Sequence, residues 1–210
     1  MFDDGLWLRK ALVFGSAVVY WMGVLIQTGR VRRRIGRFPN VTPHGRKERI
    51  LWLGWIVVLA GWMGQPLVIG RPGIPFISPF SHLVHPLGML LGTLMIVGGY
   101  AGTLWCYRAL GDAWRMGIRR REKTTLVRRG PYHFVRHPVY LFQVVLLSGT
   151  TLLLPTLFSL VLVGIHLCCV FVKALDEEDH LMKVLGPEYS TYLSTTGRFL
   201  PKIGHQESDV

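Results

Sequence analysis

The sequence predicts an all-α integral membrane helical bundle of about five transmembrane helices with a cytoplasmic C-terminal region, and three observations predict it. Half of the 210 residues are hydrophobic, only 17% are charged, and the mean hydropathy is +0.35, the balance of a membrane chain rather than a soluble domain. Several apolar stretches approach the roughly 20 residues that a spanning helix needs. Finally, the basic residues are confined to alternate connecting segments, as they are in multi-pass proteins.

The first predicted span is 6–27, with Trp7, Tyr20 and Trp21 as interface residues. Its apolar part is too long for a signal peptide, and no small-residue cleavage site precedes the arginine run, so it reads as a retained span. The second is 50–69, where Gly54, Gly61 and Gly64 with Trp52, Trp55 and Trp62 look like packing and interface residues. The third is 85–110, opening at Pro86; its Gly88 and Gly92 stand four apart on one face, the spacing of a small-residue packing seam. Stretches 139–154 and 156–174 are shorter and separated by Pro155, and they read as a tight hairpin crossing twice with its turn at the far face. Between spans two and three, 70–81 is rich in Pro and Gly and nearly uncharged, so it should lie along the membrane surface. His82 and His85 precede Pro86; two histidines alone do not complete a metal shell, and interfacial polar residues are the plainer reading.

The formal net charge of +12 follows from topology. Arg30, Arg32, Arg33, Arg34, Arg37, Arg46, Lys47 and Arg49 lie between spans one and two. Arg108, Arg115, Arg119, Arg120, Arg121, Lys123, Arg128, Arg129 and Arg136 lie between spans three and four. Only Arg71 lies between spans two and three, and the Pro155 turn has none. The N-terminus is therefore expected outside and the C-terminus in the cytoplasm. Membrane lipids are the expected surroundings, and no nucleic-acid partner is needed to explain the charge. Cys106, Cys168 and Cys169 fall in or beside apolar spans, which suits free thiols rather than a disulfide framework or a metal site.

The polar stretch 126–140 reads Leu-Val-Arg-Arg-Gly-Pro-Tyr-His-Phe-Val-Arg-His-Pro-Val-Tyr. Pro138 suits the first position of a helix, and it pushes His137 out of the helical region to the cap. The helix start, with Arg136 beside it, is a ready place for an anionic group. Gly130-Pro131 is a turn signal that folds Leu126 and Val127 back over the same place. Taken alone, these residues also describe a basic loop anchoring a helix in the headgroup layer. Downstream lies an acidic run from Asp176 to Asp179, with Lys173 and Glu177 four apart, as are Asp179 and Lys183, so part of it reads as helix-stabilising pairs. Glu177 and Glu178 point about 100° apart on a helix, so one faces a common site squarely and the other serves better as a structural partner. Gly186-Pro187 then marks a helix stop and restart.

In order, Leu110-Gly111-x-x-Trp114, the 126–140 stretch, an apolar hairpin, Glu177-Glu178, Gly186-x-Glu188-Tyr189-x-x-Tyr192 and Thr196-Gly197-Arg198-Phe199-Leu200-Pro201 resemble the isoprenylcysteine carboxyl methyltransferase and phospholipid methyltransferase superfamily. The resemblance spans roughly 104–204. It implies N-terminal transmembrane helices and loops over 1–84, a methyltransferase core over 85–204 and a tail over 205–210. The implied cofactor is S-adenosylmethionine, held at the cytoplasmic face, and the implied acceptor is a lipophilic or small membrane-partitioning carboxylate, thiol or amine. Carried over by position, Leu126, Val127 and Gly130 would line the cofactor by backbone, and Tyr132, His137, Tyr140 and Glu178 would contact it. Arg136, Glu177 and Glu178 would be the catalytic set; no metal is implied. Two departures leave the acceptor open: Leu141-Phe142 follows Tyr140 where the family often has a glycine, and Thr124 and Thr125 stand where it often has a histidine.

Three other classes compete. Membrane sterol and steroid reductases, which use NADPH, share a related C-terminal architecture, but Val139 occupies their usual asparagine position. A di-iron enzyme would use His133 and His137, yet such enzymes need several histidine boxes. A non-catalytic scaffold would have been favoured by loss of the carboxylates or of Arg136-His137-Pro138, and all are present.

Overall fold

A computed structural model describes residues 2–36, 38–39, 45–71, 73–114 and 125–202. Arg37, Pro72, Arg115, Arg119, Arg120, Arg121, Lys123, Thr124 and the tail 205–210 lie outside the described residues.

Among the described residues six α-helices follow one another: α1 (Phe2–Ile35), α2 (Arg46–Val68), α3 (Pro86–Leu110), α4 (Pro138–Leu153), α5 (Leu157–Leu185) and α6 (Pro187–Thr195). Among the described residues Gly5–Ile35, Arg46–Val68, Pro86–Ala113 and Leu157–Leu185 are long and apolar enough to cross a membrane, and Pro138–Leu153 is a shorter apolar helix. The fold is an all-α membrane bundle, with large exposed side chains such as Val19, Leu53, Leu90, Val97, Leu160 and Phe171 forming its lipid-facing surface.

α4 is the middle of the bundle. It packs on α1, α3 and α5, and Leu146, Leu147, Gly149, Thr150 and Leu153 are buried. Sixteen residues make about 24 Å of helix, short of the roughly 30 Å hydrocarbon core. Such a helix can end inside the membrane only where protein satisfies its last carbonyls. Arg9 of α1 does this: its guanidinium donates to Leu153 O at 3.1 Å and to His85 O at 2.7 Å, and it is 4% exposed. Phe80 N donates to Pro155 O at 2.8 Å, tying the 70–85 segment to the hairpin turn. Thr156 caps α5 by accepting from Ser159 N at 3.0 Å, and Ser159 Oγ donates to the buried Gln65 at 2.8 Å.

α3 and α4 approach along a glycine seam, wider than the Gly88–Gly92 pair alone. A Cβ on Gly92 would lie 2.7 Å from Gly149 O, and one on Gly99 would lie 2.8 Å from Leu146 Cβ. A similar contact joins α2 to α5, where a Cβ on Gly54 would meet Cys169 Sγ at 2.6 Å. His85, as the N-cap of α3, accepts from Leu87 N at 3.2 Å through Nδ1. The three cysteines are free; Cys106 and Cys169 are buried and Cys168 is exposed.

Candidate active site

The site forms where α4 begins. Gly130 takes φ of 62°, a left-handed value that glycine adopts without strain, and opens a short helical turn over Gly130–His133. His137 is then the N-cap residue of α4, with φ of −124° and ψ of 57°, and Pro138 occupies the first turn. The C-terminal segment clamps this entry: Val135 bridges Gly197 in parallel, Arg136 N donates to Gly197 O at 2.8 Å, and His137 N donates to Arg198 O at 3.1 Å. Any side chain on Gly197 would run into the carbonyl oxygen of Leu200, so the clamp needs glycine there. Tyr192 adds a hydrogen bond from its hydroxyl to Tyr132 O.

Beneath the clamp, α5 presents its two glutamates to different partners. Glu178 is 7% exposed and fully engaged. Arg136 Nε donates to its Oε1 at 3.0 Å, Arg198 Nη2 to its Oε2 at 2.7 Å, and His137 Nε2 lies 3.2 Å from Oε1. A buried carboxylate needs such partners to remain ionised. Glu177 accepts from the Tyr140 hydroxyl at 2.7 Å, with its Oε2 3.5 Å from His137 Nδ1. The imidazole of His137 is therefore held between two carboxylates, and it stacks on Tyr140 with centroids 5.7 Å apart and planes at 14°. Burial alone pushes the His137 pKa down, but hydrogen bonds to Glu177 and then Glu178 outweigh it, so the pKa sits above its ordinary value.

A cavity of about 700 Å³ opens from this point. Of the residues singled out in the sequence, Leu126, Val127, Tyr132, Arg136, His137, Tyr140 and Glu177 line it together. Gly130 and Glu178 do not. Gly130 instead serves the turn, packed so closely that a Cβ would lie 3.2 Å from Ala109 Cβ and Trp105 Nε1. The sequence argument kept Arg136 for an anionic group. In the fold its guanidinium is committed to Glu178 and to the carbonyls of Thr196 and Leu193, because the buried glutamate and the end of α6 require donors. Lys173 also lines the cavity, as do Tyr189 and Tyr192 of α6. The Tyr189 hydroxyl is buried with no hydrogen-bond partner, and burial raises its pKa, which keeps it a neutral donor.

Sequence reasoning missed three contributors. Arg198 completes the Glu178 cluster, and its only signal was a basic residue in a segment that must return to an acidic helix. Lys173 was read solely as a helix-pairing residue. α1 and α2, read as spans without chemistry, supply Tyr20, Trp21, Trp52, Trp55 and Trp62 to the cavity wall.

Residues 87–188 match the model of the phospholipid methyltransferase family, a membrane methyltransferase family, and the match covers α3, α4, α5 and the entry between them. Over that core the chain is similar to the phospholipid methyltransferase family. Two curated relatives resemble it. The cobalt-zinc-cadmium resistance protein CzcN of Cupriavidus metallidurans is 27% identical over 120 residues, covering 57% of this chain and 52% of that protein. The nickel-cobalt-cadmium resistance protein NccN of Alcaligenes xylosoxydans xylosoxydans is 26% identical over 115 residues, covering 55% and 50%. The chain thus spans about half the length of the curated relatives it matches. The matched residues include the helix start, the hairpin and both glutamates. The walls contributed by α1 and α2 lie outside the matched core.

Proposed function

We propose that this chain, similar over its core to the phospholipid methyltransferase family, is a methyltransferase using S-adenosylmethionine, acting on a lipophilic or small membrane-partitioning acceptor. The observation that carries the reading is a single cavity in which an engaged carboxylate, Glu177, stands among Tyr132, Tyr140 and Tyr189 at one end, while apolar and aromatic residues of the spans wall the other. The residues suit the cofactor. It is a zwitterion carrying a cationic sulfonium, whose positive groups match Glu177 and the aromatic faces, whose carboxylate matches Lys173, and whose polar rim suits the unpartnered Tyr189 hydroxyl. When bound it would supply an electrophilic methyl group.

The chain's own residues would then bind, orient and exclude water. Leu126, Val127, Tyr132, His137, Tyr140 and Glu177 would hold the cofactor, and the clamp by residues 196–198 would fix their positions. Holding donor and acceptor at near-contact distance can supply a large share of the rate in such a transfer. Arg136 and Glu178 would act through His137, keeping its imidazole locked against Glu177 and Tyr140. The names of the two relatives speak of metal resistance, a phenotype rather than an acceptor, so the acceptor is argued from the cavity.

Thermal unfolding of the detergent-purified protein with S-adenosylhomocysteine, and with NADPH in parallel, tests the reading. Ligand at about 100 times its dissociation constant stabilises by roughly 2.7 kcal/mol. A rise in melting temperature with S-adenosylhomocysteine alone, lost in Tyr140→Ala, is the expected result. A rise with NADPH alone would move the protein to the reductase class, and no rise with either would sink the proposal.

A further inference from the structure

The cavity does not end at the polar entry; it continues between the spans, walled by Leu59, Trp62, Leu146 and Leu147. Four polar groups line this space from four helices, one of them the ring N–H of Trp55 of α2, buried and without a hydrogen-bond partner. His166 of α5 is 7% exposed, lines the cavity, and its Nε2 has no hydrogen-bond partner. Gln143 of α4 donates through Nε2 to the Tyr20 hydroxyl at 2.5 Å, leaving a buried Oε1 without a partner. Trp21 of α1 lines the same space with a buried, unpartnered ring N–H. Gln143 stands about twelve residues before the turn at Pro155 and His166 about eleven after it, so the antiparallel hairpin sets them at similar depth. The ring of Trp55 lies 6.2 Å from those of both Tyr140 and His166, linking this level to the entry.

Polar groups inside a span are costly and normally face a partner or a functional cavity. A packing role would pair them with one another or with backbone. Here one free acceptor, two indole donors and one imidazole nitrogen able to do either line a single cavity. A ketone or ether oxygen would leave Gln143 unanswered, an ammonium would leave the indole donors unanswered, and a charged group would be expensive at that depth. A hydroxyl both donates and accepts through one atom.

We propose that Trp21, Gln143 and His166 form a recognition site for a hydroxyl group on the apolar body of the acceptor, remote from the atom that takes the methyl group. His166 stands about 16 Å along α5 from Glu177, eleven residues at 1.5 Å each. The substrate class is therefore a hydroxyl-bearing lipophile whose reacting end and hydroxyl are separated by a comparable span. This assignment rests on the methyltransferase reading for the identity of the acceptor, but the ring itself can be tested without it.

The test is thermal unfolding of the purified protein titrated with farnesol or with the matched hydrocarbon farnesene, with and without saturating S-adenosylhomocysteine. Wild type is expected to bind farnesol about tenfold more tightly, the scale of one or two hydrogen bonds made in place of unpaired groups. In His166→Phe and Gln143→Leu the two ligands should bind within about twofold of each other, while the response to S-adenosylhomocysteine is unchanged. Trp21→Phe keeps the ring and removes only the N–H, so it reads the site if the other variants fold poorly. Equal binding of the two ligands by wild type, or a preference that survives these substitutions, overturns the proposal. Loss of the S-adenosylhomocysteine response alone, in wild type, counts against the methyltransferase reading and leaves the alcohol–hydrocarbon comparison intact.

Discussion

Glu177 and Glu178 differ by one position and by everything that surrounds them. Glu178 holds two arginines, so Glu178→Gln should lower stability by about 3 kcal/mol, as when one partner of a buried ion pair is removed. Glu177→Gln should lower the melting temperature less than Glu178→Gln, since it leaves His137 its other carboxylate and no arginine unpaired, and it should weaken S-adenosylhomocysteine binding by about tenfold, the loss of a hydrogen bond to a charged group. Melting curves and ligand titrations on both variants separate the roles; equal effects on affinity would remove the distinction. His137 adds a pH dependence. Its folded pKa is raised, so its charged form contributes stability fully below the ordinary value of about 6.5, and that contribution is lost as pH rises through the raised value. The melting temperature of wild type should fall as pH increases from neutrality, and it should fall less in His137→Gln.

At the scale of elements, the seam between α3 and α4 makes neighbouring glycines unequal. A Cβ on Gly99 would lie 2.9 Å from Phe142 O, whereas one on Gly98 meets nothing within 4 Å. Gly99→Ala should destabilise by about 1–3 kcal/mol through overpacking, and Gly98→Ala should be neutral or slightly stabilising, as melting in detergent would show. Periodicity and apolar length located α3 and α4 closely: stretches 85–110 and 139–154 became Pro86–Leu110 and Pro138–Leu153. They underestimated α1 and α5, read as 6–27 and 156–174 but observed as Phe2–Ile35 and Leu157–Leu185. Hydropathy reports where hydrocarbon ends, and a helix continues into water wherever its charged turns allow. Arg9 gave no signal as the terminator of α4, because its partners are carbonyls more than 70 residues away in sequence.

For the whole molecule, the alternation of basic segments leads us to expect the α1 start outside and the clamp inside. Epitope tags placed before α1 and after residue 202 should be reached by antibody in intact and only in permeabilised cells respectively; the reverse pattern would invert the bundle. The entry was legible because its chemistry is local, in Arg136-His137-Pro138 and the glutamate pair. The cavity wall was not, because Trp52, Trp55 and Tyr20 have the same composition whether they face lipid, a neighbouring helix or a ligand. The Glu178 cluster was half legible: its acid and Arg136 stood out, while Arg198 is brought in only by the path of the chain after α6.

That path has a consequence for biosynthesis. Arg136 is bonded to Thr196, 60 positions later in the chain, and the whole entry is held by residues 196–198. At roughly 5–20 residues per second, ribosomes need about 3–12 s to travel from one to the other. Within that interval α4 and α5 are themselves made, so Arg136 waits first for Glu178 and then for the segment that locks them both. The Glu178 cluster therefore closes last, when Arg198 emerges.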